Sequence, residues 1–130
     1  MSWLEETVEE LEGSLRRLER VAEEIRGEPT ATQVHDVWLS YLYVEKGVAF
    51  IKLELGEENP GRFINIKKYD VPDERQAIGF AIKNLRFGLE TVRRGDLGPS
   101  LKPLRESRNY LRALLRKKQL MRRRAASTRP

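Results

Sequence analysis

The stretch VHDVWLSYLYVEKGVAFIKLEL, residues 34–55, decides the fold. It is dense in β-branched and aromatic residues, with Trp38, Tyr41 and Tyr43 in its first half, a composition that predicts strands. Glu45-Lys46-Gly47 reads as a turn between a strand over 34–44 and a second over 48–55. Gly47 would be the left-handed residue of a three-residue bulged hairpin. A second turn, Gly56-Glu57-Glu58-Asn59-Pro60-Gly61, leads to a third strand over 62–69.

Alternation assigns two faces to this sheet. In the second strand Ala49, Ile51, Leu53 and Leu55 form an apolar side, and Val48, Phe50, Lys52 and Glu54 a mixed one. The apolar set should face the core, because Lys52 and Glu54 are costly to bury unpaired. A three-residue loop then sends Val37, Leu39, Tyr41 and Tyr43 inward and leaves Trp38 on the mixed face. A two-residue Lys46-Gly47 turn would reverse that choice. In the third strand Ile64 and Ile66 go inward, and Phe63, Asn65, Lys67 and Tyr69 outward. The outer face therefore interleaves Trp38, Phe50, Phe63 and Tyr69 with Lys52 and Lys67. Such a face suits unpaired bases, which stack on rings while cations follow the phosphates. The alternative is that a helix or a second subunit covers it and the rings are core.

Upstream, Leu4, Leu11, Leu18 and Ile25 alternate with Val8, Leu15 and Ala22 at heptad spacing. This predicts a coiled-coil helix over residues 1–28, capped by Ser2 and stopped by Gly27 and Pro29. A helix of about three heptads is marginal alone, so its seam must pack against an identical chain or against the C-terminal helix. Downstream, Asp70 or Asp73 caps a helix reaching about Arg94. Its stripe, Ile78, Ala81, Ile82, Leu85, Leu89 and Val92, should cover the inner face of the sheet. Phe80 and Phe87, with Lys83 and Arg86 near them, would wall a cleft or extend the core. Gly95 and Gly98-Pro99 separate this helix from a last one, which runs from about Ser100 to about Arg124. Its seam of Leu101, Leu104, Leu111, Leu114, Leu115 and Met121 suits the N-terminal helix. The expected fold is α+β: a heptad helix, an antiparallel sheet of three or four strands, two C-terminal helices and coiled-coil oligomerisation. The expected divisions are 1–28, 29–98 and 99–130.

The charge of +5 hides a gradient: residues 1–28 carry −5, 29–92 carry −1 and 93–130 carry +11. A basic end on a near-neutral body points to a polyanion, or to an acidic surface in the same assembly. Arg122-Arg123-Arg124 and Arg129 would add salt-sensitive, sequence-independent affinity. No apolar run approaches a membrane span, and the N-terminus lacks the regions of a signal peptide, so a cytoplasmic location is expected. With no Cys and a single His, His35, thiolate and His-cluster metal sites are excluded. There is no Gly-rich phosphate loop, and the serines have no base at hand. Asp70, Asp73 and Glu74 read as a helix-start group and His35 as an ordinary histidine. No enzyme activity, catalytic residue, metal or cofactor is expected.

Lys46-Gly47-Val48-Ala49-Phe50, Tyr69-Asp70-Val71 and Ala77-Ile78-Gly79-Phe80-Ala81, in this order of elements, resemble the ThermoDBP family over roughly residues 34–95. That archaeal group binds single strands without an OB-fold. The resemblance implies a small sheet braced by helices, a cleft for single-stranded DNA or RNA near Trp38, Phe50, Phe63 and Tyr69, and helix-driven oligomers. The expectation is a low-specificity binder of single-stranded nucleic acid, a homodimer or tetramer, contacting its ligand through Trp38, Phe50, Lys52, Phe63, Lys67, Tyr69, Lys83, Arg86 and Phe87. The alternative is a helical scaffold or ribonucleoprotein-assembly protein with a basic tail and no stacking site.

Overall fold

The computed structural model describes the backbone of residues 2–57 and 66–127, and the side chains of 2–57 and 67–118. The elements are α1 (Trp3–Glu24), α2 (Ala31–Leu55), α3 (Ile66–Tyr69), α4 (Glu74–Arg93) and α5 (Leu97–Ser127). No strand occurs among the described residues. The expected α+β fold is therefore overturned. Both expected strands of 34–55 belong to the single helix α2, and the Glu45-Lys46-Gly47 turn is the middle of it. The first half of the third expected strand, 62–65, lies outside the described residues, and its last four residues form α3.

Local signals mark where α2 begins and ends. Thr30 accepts a bond from the Gln33 N–H at 3.2 Å, and the Gln33 side chain accepts from the Thr30 N–H at 2.9 Å. This reciprocal capping box satisfies two donors that a helix start leaves open. At the other end Gly56 adopts φ 67°, the left-handed cap that glycine reaches without steric cost. Between the caps, Gln33, Val37, Ser40, Val44, Gly47, Val48 and Ile51 are buried at helical spacing.

Four long helices form a ring in which every adjacent pair is antiparallel. α1 lies between α2 and α4, and α5 lies between the same two on the far side. Glu10–Lys46 and Ser14–Ser40 align α1 with α2; Glu12–Arg93 and Glu19–Arg86 align it with α4. Glu45–Arg108 and Glu57–Arg105 align α2 with α5, and Glu74–Lys118 and Ala81–Ser107 align α4 with α5. Consequently α2 and α4 are diagonal and run in the same direction. Residues 56–73 must carry the chain back along a helix about 37 Å long, making one long crossover connection. α3 sits on this crossover and packs against α5: Tyr69 meets the Tyr110 ring at 5.0 Å and donates its hydroxyl to Glu106 at 3.1 Å.

The heptad seam of α1 is used within the chain. Leu11, Leu18 and Ile25 are buried as the spacing predicts. The other buried set is Thr7, Ser14 and Val21, whereas Val8, Leu15 and Ala22 are only partly buried. Two neighbours demand a wider stripe than a two-stranded seam. Small residues meet at the α1–α2 contact. Ser40 Oγ donates to the Ser14 carbonyl at 3.4 Å, and a Cβ at Gly47 would stand 3.4 Å from Thr7 Cγ2. The stripe of α4 is buried as expected, but against α1 and α5 in place of a sheet. The α5 seam packs on α4 and α2; the N-terminal helix lies diagonal to it.

Candidate functional site

The groove between α2 and α5, near the start of α2, is an open cleft of about 660 Å³. Helical spacing on α2 lines one wall with Ala31, Val34, His35, Trp38 and Tyr41; α5 supplies Arg112, Leu115, Arg116 and Lys118. Trp38 is 47% exposed, and its indole lies 5.7 Å from the Tyr41 ring at an interplanar angle of 32°. The Tyr41 hydroxyl is pushed above its ordinary value, first by burial and then by Glu45, with Arg112 and Arg108 opposing. It stays protonated at neutral pH and keeps its donor.

The cations differ in their freedom. Lys118 is already engaged, at 3.1 Å from Glu28 and 2.6 Å from Glu74. Arg112 and Arg116 are exposed, four residues apart on one side of α5, and neither has an ion pair among the described residues. Arg105 and Arg108 are held by Glu57 and Glu45. The cleft thus offers an accessible indole, an apolar floor and two uncommitted guanidinium groups. Such a wall can stack a planar apolar group and bind an anion attached to it.

The structure disperses the sequence-derived site residues, because the shared β face that collected them does not exist. Trp38 lies in the cleft. Phe50, on another side of α2, packs edge-on to Trp3 at 6.4 Å under the Lys46 ammonium. Lys52 is partly buried farther along α2, and Lys67 is exposed on α3. Tyr69 is 7% exposed, fixed between Tyr110 and Glu106, and cannot offer a free ring. Lys83, Arg86 and Phe87 occupy the outer side of α4, across the ring from α2; Arg86 pairs with Glu19 at 3.3 Å. Phe63 lies outside the described residues. Sequence reading missed Tyr41, Arg112 and Arg116 as site residues and took His35 for an ordinary histidine. The usable signal was spacing: Ala31, His35, Trp38 and Tyr41 share a side only at a helical period, and Arg112 and Arg116 are one turn apart.

Among the described residues no three His, Asp or Glu side chains gather as a metal set. No described helix is long and apolar enough to cross a membrane. No family model matches the chain, and no match was found among curated proteins or solved structures.

Proposed function

We propose that this chain is a non-enzymatic, cytoplasmic binder of single-stranded nucleic acid, with low sequence specificity and the α2–α5 cleft as its base-stacking site. The observation that carries the reading is the half-exposed Trp38 beside the uncommitted Arg112 and Arg116. Every base has a π face, so one indole is sequence-tolerant, and guanidinium groups next to it meet the phosphates. The charge gradient supports the same ligand. α5 continues for nine residues past Lys118, to Ser127, and the sequence there includes Arg122, Arg123 and Arg124. These residues add positive charge to the helix that carries Arg112 and Arg116. The resemblance to the ThermoDBP family favours the same ligand class, although it implied a different fold.

Fluorescence titration tests this in a Trp3→Phe background, where Trp38 is the sole indole. Single-stranded oligonucleotides should quench it, and Trp38→Ala should weaken binding by about 1–3 kcal/mol. Replacing Arg112 and Arg116 together by Ala should make the slope of log affinity on log salt shallower by about 1.4, at about 0.7 per phosphate contact. Binding that prefers a matched duplex, or that ignores all three substitutions, refutes the proposal.

A further inference from the structure

The apolar surface of this bundle is concentrated on one helix. Of the seven large hydrophobic side chains exposed among the described residues, five belong to α2: Trp38, Leu42, Phe50, Leu53 and Leu55. Leu42 and Leu53 are 44% and 75% exposed, and Ala49 between them is also exposed. At spacings of seven and four, Leu42, Ala49 and Leu53 form one strip along the outward side of α2. α2 is therefore apolar on two sides, and the bundle covers only one of them.

From this strip we infer that the second half of α2 is a homodimer interface, formed with the antiparallel α2 of an identical chain. The charges bordering the strip argue for a second copy. Glu45 and Lys52 lie seven residues apart on the same edge of the helix. A two-fold axis between positions 48 and 49 sets Glu45 opposite Lys52 of the partner subunit, and repeats the pair on the other side. The same axis brings Leu42 beside the partner's Leu53 and places small Ala49 at the crossing, where the helices come closest. Lys52 has no ion pair among the described residues, and Glu45, which meets Arg108 at 3.4 Å and accepts from the Tyr41 hydroxyl, keeps its side chain 43% exposed. One surface thus carries both halves of its own complement, as an isologous contact requires.

The strip is on the order of a few hundred Å² of apolar surface, the size of the largest patch on a soluble monomer. That is below the roughly 800 Å² per subunit of a standard interface, so the expected dimer is a weak, micromolar one. Trp38 lies beyond the overlap of the two α2 helices. The inference does not depend on what the cleft binds.

Sedimentation equilibrium on the full chain, from about 1 to 100 μM, tests it without nucleic acid. The wild type should dimerise within this range. Ala49→Glu, at an exposed position, should weaken dimerisation by at least about tenfold with an unchanged circular dichroism spectrum. Glu45→Lys and Lys52→Glu should each weaken it, and the doubly reversed chain should recover it. A wild type that stays monomeric throughout, or an Ala49→Glu chain that dimerises like the wild type, overturns the interface. Single reversals without effect, or no recovery in the double reversal, overturn the paired register. Oligonucleotide affinity of Ala49→Glu, read separately, should stay at the wild-type value whichever way dimerisation comes out.

Discussion

Gly79 and Gly88 sit nine residues apart on α4 and have opposite consequences. A Cβ at Gly88 would stand 2.6 Å from Leu104 Cδ2 and 2.7 Å from Leu104 Cγ, with the Leu104 nitrogen at 3.4 Å. Leu104 is fully buried, so neither its side chain nor its backbone can give way cheaply. This glycine is what lets α4 and α5 approach. Gly88→Ala should cost about 1–3 kcal/mol in urea denaturation. A Cβ at Gly79 would meet nothing within 4 Å. There the methyl only reduces the entropy lost on helix formation, and Gly79→Ala should gain about 0.5–1 kcal/mol in the same assay. Equal effects at the two positions would contradict the α4–α5 packing described above. Gly47 belongs to the same theme: a turn in the strand reading, it is a contact residue in the helix. Its place could not be read from the residue alone, because a lone glycine marks turns and close helix contacts alike.

At the scale of the element, α2 shows why period and composition gave different answers. Its β-branched and aromatic content favours strands, but such propensities are weak beside packing. Because residues 34–55 are apolar on several sides, alternation by two finds an apolar face as readily as a helical period does. Thr30 and Gln33 were the better guide. A Thr three residues before a Gln, ahead of an apolar run, is a helix-start signature with a mechanism. Thr30→Ala should destabilise the chain by about 0.5–2 kcal/mol in thermal or urea unfolding, and Thr30→Asp far less. By contrast α4 was legible almost residue by residue. Asp73 caps it, accepting from the Arg75 and Gln76 N–H groups at 2.9 and 3.3 Å. Its six-residue stripe is buried, and apart from Phe80 and Phe87 the other side is mostly polar, so one period fits and the other does not.

Across the whole molecule, charge is arranged more locally than the end-to-end gradient implies. The acidic α1 meets Lys46, Arg86 and Arg93 from α2 and α4, while the bases of α5 draw on Glu28, Glu45, Glu57 and Glu74, and its own Glu106 takes Lys68 of α3. Lys118 joins three parts of the chain: α5, the α1–α2 connection through Glu28 and the first turn of α4 through Glu74. Burial works to lower its proton affinity, but hydrogen bonds to Glu74 and Glu28 and their charges prevail, and its pKa is raised. The folded state thus holds this proton more tightly than the unfolded chain. Its stabilisation is complete below the ordinary lysine value of about 10.4, and is lost as pH rises through the higher folded value. Lys118→Met should therefore lower stability by about 1–3 kcal/mol at pH 8, with the gap from wild type closing above that range. A gap that is constant with pH would show that the side chain acts by packing alone.

By itself the sequence determined the helices whose apolar residues fall on one side only. α1 with its Ser2 cap, α4 with its stripe and the leucine seam of α5 follow from periodicity and capping, which are local properties. It also determined the basic C-terminal end, a matter of composition. Only the tertiary structure decided that residues 34–55 form one helix, because a segment apolar on several sides takes the conformation its neighbours can bury. For the same reason it alone brought Trp38 beside Arg112 and Arg116: residues more than seventy positions apart become neighbours through the packing of α2 on α5. No local period carries that distance.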